Sequence, residues 1–438
     1  MYKNTIIVAS LISISFGLMA QEVKTLTLKE AIELGYANSK QLAISNAKVK
    51  EAQAKLDQSK DAVIPNVGVS GNYFHLNTPT ISFANPPSTD GGDSPLAAFS
   101  KLHDVGLVQL TAVMPLYNGL KLKNTRIMNQ YLREAEQYNQ QTTHAEVALN
   151  TIKAVYQYYE LQESRKTIQE NLKQEHQRLQ EFKNQEQQGL LARNDRLKTE
   201  LQANNVELAL TEVNHSVELA SYNLGILLGL PDNTQIDLDT TSMFNLVTAK
   251  TWDEYLQAGL TNRTELKAAA LQVKASEAGY KISKSSRLPK LDLSAGYINA
   301  FIPNVANITN TLNAGLSLKY SITGAVHATH LMREARAKVD QATTAEADRV
   351  DQVKVQIREK YLKYLEMQDK LVINEKTINQ AEENFQISQN KYNQGLLILS
   401  DYLDADVTLL RARINYATSR AEAMVSYYAL QESIGTLQ

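Results

Sequence analysis

LKLKNTRIMNQYLREAEQYNQQTTHAEVALNTIKAVYQYYELQESRKTIQENLKQEHQRLQEFKNQEQQGLL, residues 120–191, has neither glycine nor proline between Lys121 and Gln188. Apolar or small residues recur at intervals of three and four: Ile127, Tyr131, Ala135, Tyr138, Thr142, Ala145, Leu149, Ile152, Tyr156 and Tyr159. They resume at Ile168, Leu172, Leu179 and Phe182. This is a helix period with a narrow stripe, closer to a coiled-coil seam than to a globular core helix. At 1.5 Å per residue such a helix reaches roughly 100 Å, more than a compact domain can hold. After Gly189 a second uninterrupted run extends from Leu190 to Leu224. The chain builds something long, and its function should be to cross a distance.

Composition narrows the classes. The 438 residues carry a net charge of -2, with 21% charged, and show no basic excess and no nucleic-acid-binding signature. There is no cysteine, so no disulfide framework, thiolate metal site or cysteine nucleophile. Lys3 followed by the apolar run Ile6 to Leu18 reads as a signal peptide, with cleavage expected after Ala20. That run is too short to span a bilayer as a helix, and no later segment has eighteen consecutive apolar residues.

Outward from the long helix, the chain repeats itself. Leu26 to Ile64 has a helical pattern, with Thr27 and Glu30 placed as a capping box and Pro65 as its stop. The period then becomes two. Val67, Val69, Gly71 and Tyr73 alternate with Asn66, Gly68, Ser70 and Asn72, a strand. A loop from Asn77 to Lys101 leads to a second strand, about Val105 to Tyr117. A shift of 224 residues (Pro65 onto Pro289) lays Glu30 on Glu254, Gly35 on Gly259 and Tyr73 on Tyr297. A third strand (Leu291, Leu293, Ala295, Tyr297) and a fourth (Leu312, Ala314, Leu316, Leu318, Tyr320) follow. Near a shift of 206, Gln188-Gly189-Leu190-Leu191 recurs as Gln394-Gly395-Leu396-Leu397, and Asp195 as Asp401. The expected organisation is a signal peptide (1–20), a first unit of helix, two strands and long helical hairpin (21–230), a linker (231–250) and a second such unit (251–438). The tip glycines are expected to lie at the hairpin ends farthest from the strands.

Strands of ten to twelve residues with one apolar and one small or polar face match an outer-membrane barrel. Four cannot close a barrel, and open edges are not tolerated in lipid. Other copies must complete them: two give eight strands, three give twelve. The competing reading is a periplasmic or surface coiled-coil or adhesion protein with two small sheets and no channel.

Pro65-Asn-Val67-Gly-Val69-Ser-Gly-Asn-Tyr73 and Pro289-Lys-Leu291-Asp-Leu293-Ser-Ala-Gly-Tyr297 resemble the Pro-x-Leu-x-Leu-x-x-x-Tyr corner of the TolC-like outer membrane efflux proteins. Met114-Pro115-Leu116-Tyr117-Asn118-Gly119 is similar to that family's return corner, and the Gln-Gly-Leu-Leu tips to its periplasmic turns. The resemblance covers about Leu26 to Leu437. It implies a mainly α protein with membrane β: a homotrimer with a 12-stranded β-barrel continued by a 12-helix α-barrel. It also implies an outer membrane exit duct for efflux or type I secretion in a Gram-negative bacterium, opened by a periplasmic adaptor (membrane fusion protein) and an inner-membrane pump. The resemblance, not the strand count, selects three copies. It implies no cofactor. Where the family often has an arginine two residues after the second tip glycine, this chain has Leu397, while Tyr392 and Asp195 match the family's other tie residues.

Asp401 and Asp404, at i and i+3, share a helix face. By resemblance they line the periplasmic end of the pore as a gate; the competing role is helix-start chemistry, where acids are stabilised by the dipole. Asp404 falls on Lys198 in the first half, which capping does not explain. Asp195 and Tyr392 are assigned to tip closure. Gly189, Leu190, Leu191, Gly395, Leu396 and Leu397 are assigned to adaptor docking, against the competing role of a turn burying its own leucines. His327 and His330 read as a solvated pair, and Asp90-Gly-Gly-Asp93 as a polar loop. No nucleophile–base motif, phosphate loop or zinc helix is present, so no enzyme is expected.

Overall fold

The structure is a computed structural model that describes residues 23–77, 103–231, 234–241, 243–245, 247–303 and 306–437. The expected signal peptide, nearly all of the 77–101 loop with Asp90-Gly-Gly-Asp93, and Asp232-Asn233 lie outside the described residues. In chain order the elements are β1 (Val23–Leu26), α1 (Leu28–Asn38), α2 (Lys40–Asp61), β2 (Asn66–His75) and β3 (Asp104–Tyr117), then α3 (Lys121–Gln187), α4 (Arg193–Leu228) and β4 (Gln235–Leu238). The second half supplies α5 (Trp252–Asn262), α6 (Thr264–Lys284), β5 (Lys290–Ile302), β6 (Ala306–Lys319), α7 (Ile322–Asn393) and α8 (Leu399–Ser433). The chain forms two compact units. Among the described residues, one comprises those within 23–42, 143–262 and 354–437, the other those within 43–142 and 263–353.

The smaller unit holds a four-stranded antiparallel sheet in the order β2-β3-β5-β6. Its register makes the alternation meaningful. Val69, Leu110, Tyr297 and Leu312 face one another across all four strands, and the next row is Val67, Ala112, Ala295 and Ala314. Because side chains alternate faces, the rows between are mostly small or polar: Gly68, Thr111, Gly296 and Asn313, then Ser70, Gln109 and Thr311, with Ile298 the apolar exception. The apolar face is bare, with Val69 76% and Leu312 79% exposed. Pro115, which has no N–H to donate, marks the one irregularity between β3 and β5. The strands run to 14 residues, somewhat longer than the alternation alone delimits. In the same unit, Ala135, Ala268 and Leu271 form a small core with Tyr131 and Tyr138.

The larger unit corrects one expectation and adds to another. Leu26 to Ile64 is not one helix: it breaks at Ser39, whose backbone is extended, and β1 precedes it. The break recurs after Asn262, with Arg263 between α5 and α6. The 231–250 segment is more than a connector. Its β4 pairs in parallel with β1, Val23 opposite Gln235 through Leu26 opposite Leu238. Tyrosines of the long helices fasten it: Tyr156 donates to the Met243 carbonyl, Tyr158 to that of Ile236 and Tyr364 to that of Val247. The main core lies here, built from Leu26, Leu28, Ile152, Tyr156, Leu224, Leu228, Ile236 and Met424.

Both capping boxes form. Thr27 and Glu30 exchange backbone hydrogen bonds, and Thr251 and Glu254 do the same in the second half. Gly35 and Gly259 let α1 and α5 approach the long helices. A Cβ on Gly35 would collide with Thr151, and one on Gly259 with Ile357. Thr151 and Ile357 are themselves related by the 206 shift, so one contact is written twice.

Candidate functional site

Each long hairpin turns through the same backbone device. Gly189 has φ +75° and Gly395 φ +72°, the left-handed region that a Cβ disfavours. Leu190 N–H reaches back to the Gln185 carbonyl (2.9 Å) and Gly189 N–H to that of Glu186 (3.0 Å). Leu396 and Gly395 make the equivalent bonds to Lys391 (2.8 Å) and Tyr392 (2.9 Å), so both tips are Schellman motifs. Nothing lies within 4 Å of a Cβ at either glycine, so backbone conformation alone calls for glycine there.

The four tip leucines divide. Leu190 and Leu396 are 73% and 70% exposed. Leu191 and Leu397, one from each tip, pack against a common cluster of Phe182, Leu399, Tyr402 and Leu403, joined by Phe385 and Tyr392. Tyr402 stacks on Tyr392 with centroids 5.2 Å apart and planes at 15°, and on Phe385 at 5.7 Å. Burial raises the Tyr392 phenol pKa, and the nearby negative charge of Asp195 adds to the shift. Asp195 itself pairs with Lys198 at 3.3 Å.

Asp401 stands in the first turn of α8, whose N-cap is Ile398 with no side-chain cap bond. Asp404 lies one turn on, and both acids are exposed, whereas Tyr402, Leu403, Ala405 and Asp406 between and beside them are buried. The α8 face carrying the two acids is thus the one turned from the chain's own core. Among the described residues no group of three or more His, Asp or Glu is placed to hold a metal ion.

Sequence reasoning missed a buried polar cluster beneath the tips. Arg178 donates to Glu175 (2.8 Å) and to Asp406 (3.0 Å), and its guanidinium lies 4.5 Å from the Tyr402 ring centroid. Asn171 Nδ2 donates to Asp406 at 3.4 Å. The buried seam of α3 is Ser164, Ile168, Asn171, Glu175, Arg178, Phe182, a strict four–three alternation. The expected stripe instead ran through Leu172 and Leu179, which are only half-buried. The signal was present: continuing the heptad from Ile168 to Phe182 passes through Glu175 and Arg178.

The outer membrane efflux protein family matches residues 31–230 and 255–436, and the chain belongs to it. Solved structures share the fold nearly end to end. The outer membrane protein VceC of Vibrio cholerae is 18% identical, with 93% of this chain and 96% of that chain aligned at a TM-score of 0.75. A membrane protein of Pseudomonas aeruginosa is 13% identical over 93% of each chain, at 0.79. The open-state MtrE outer membrane channel of Neisseria gonorrhoeae is 14% identical over 94% of this chain and 89% of that one, at 0.74. No curated protein matches. The chain is accordingly an outer membrane efflux channel of the kind used in tripartite systems, a passive conduit extending into the periplasm and not an enzyme.

Proposed function

We propose that three copies assemble into a 12-stranded barrel, continued by a 12-helix α-barrel, that serves as the exit duct for an inner-membrane pump and its periplasmic adaptor. The observation that carries this reading is the sheet. Its bare apolar face suits lipid, its other, mostly small or polar face suits a wet lumen, and among the described residues β2 and β6 each have a neighbour on one side only. Pairing β2 of one copy with β6 of the next satisfies both edges. In this reading residues 1–20 are removed, 21–230 and 251–438 are duplicated units, and 231–250 joins them. Leu190 and Leu396, with Leu191 and Leu397 behind them and the tip glycines shaping the turns, meet the adaptor. Asp195 and Tyr392 hold the tips closed. Cargo is chosen by the pump.

Asp401 and Asp404 ring the narrow end. Three copies of each acid concentrate cations, so the closed pore prefers cations and is blocked by polyvalent ones from the periplasmic side. Planar-bilayer recording of the purified protein tests this. Asp404→Asn keeps the size and removes the charge, and is expected to weaken cation preference and block with assembly intact. A variant with the parent's selectivity overturns the gate assignment. Recovery of the native protein as a soluble monomer, without outer membrane, favours the channel-less coiled-coil alternative.

A further inference from the structure

The cluster beneath the tips is unusual in its charge balance. Two carboxylates, Glu175 on α3 and Asp406 on α8, share one guanidinium, Arg178, and all three are more than nine-tenths buried. Glu175 Oε1 takes the Arg178 bond, while Oε2 is buried with no donor in reach, as is Asn171 Oδ1. A buried carboxylate oxygen without a donor is costly when ionised and tolerable when the acid holds its proton. The charged groups acting on Glu175 are Arg178 from its own helix and Asp406 from α8, and Tyr402 of α8 faces Arg178. With one proton on the carboxylate pair the cluster is neutral. Without it, a net negative charge is enclosed between the hairpins.

We propose that Glu175, Arg178 and Asp406 form a proton-dependent clasp between the two hairpins of one chain, tight while the two carboxylates share a proton and loosened when that proton leaves. Desolvation pushes the Glu175 carboxyl up to about 8, with the Asp406 carboxylate adding to the shift and Arg178 opposing it. The group is raised in the closed state relative to an open, hydrated one. Its contribution to closure is therefore present below the ordinary glutamate range and is lost as pH rises through about 8. Across that window the closed-to-open ratio falls about tenfold per pH unit. That this loosening eases channel opening rests on the duct reading; the clasp itself is a contact within one chain and does not.

The absence of native cysteine allows two thiols to be placed at will. Spin labels at exposed Gln180 on α3 and exposed Thr408 on α8, in the full-length protein, report the separation of the hairpins. The expected result is one short distance at pH 5.5, a longer population growing through about pH 8, and a short distance throughout for Glu175→Gln, which mimics the protonated acid. An unchanged distribution in the parent up to pH 9.5, or the parent's transition in Glu175→Gln, overturns the clasp. Should Glu175→Gln be apart at every pH, Asp406→Asn decides. It leaves one carboxylate facing one guanidinium and is expected to stay closed, whereas the parent's transition in that variant overturns the proposal. Bilayer recording on the same samples keeps the two ideas separate, since a clasp that titrates in a protein that does not conduct counts against the duct alone.

Discussion

The two hairpin tips share a backbone and differ in chemistry. At the first, Arg196 spans the turn to Glu186 (2.5 Å) and also holds Glu200 (2.5 Å). Moved by 206 residues, Glu186 becomes Tyr392, Arg196 becomes Tyr402 and Glu200 becomes Asp406. The same two positions that make an ion pair at one tip make a stacked aromatic pair at the other. The first tie is half-buried and still within reach of water and salt, which weaken it. The second is buried, takes Arg178 onto its ring and gathers leucines from both tips. The two tips share the turn, which depends on glycine and main-chain bonds, and differ in the fastening. The second tip became the anchor to which the first attaches.

The contrast can be broken most decisively at its buried end. Tyr402→Ala removes a ring 5% exposed from two aromatic neighbours, Phe385 and Tyr392. It is expected to lower the opening free energy of the second tip by about 3 kcal/mol, comparable to other buried aromatic truncations. Hydrogen exchange of the peptides around Phe385 and Leu403 measures it, and an unchanged rate would show that the stack is not the anchor. The backbone comes next. Gly189→Ala and Gly395→Ala should each cost about 1 kcal/mol, the penalty for a Cβ in left-handed backbone, and the two costs should be equal because both turns are open around the glycine. Clearly unequal costs would mean that side chains, not φ, set the turns. Smallest is Arg196→Gln. It should quicken exchange slightly at the first tip in dilute buffer and be silent in molar salt, while Tyr402→Ala is indifferent to salt.

Much of this was open to reading in the sequence, for physical reasons. Glycine at 189 and 395 interrupts otherwise clean runs because there, between the paired helices, the chain turns through positive φ. Val67 to Tyr73 and Leu312 to Tyr320 alternate because one face of the sheet must be apolar. Thr27 and Glu30 are spaced as reciprocal caps. The rest hid behind partnership at a distance. Glu175 and Arg178 look like surface charges until Asp406 and Tyr402 are brought against them from the far end of the chain, and Leu172 and Leu179 look like core until they are displaced from the seam. Ser39 ends a helix that shows no break in apolar period. The four residues of β4 carry too short an alternation to announce a strand, and its partner lies at the other end of the first half.

That last pairing gives the chain a sense of time. A polypeptide leaves the ribosome and any translocation pore amino end first. Val23–Leu26 arrive before Gln235–Leu238 and find their ladder only when those follow. The intervening hairpin cannot be closed off in the meantime, because loop-closure entropy is offset only once both strands are present. The β1–β4 ladder therefore acts as a completion signal for the first half: the core around Leu26 and Ile236 seals after the first long hairpin has been delivered whole. Deleting those four residues at the start should leave the helices intact and remove the order in which they are made fast.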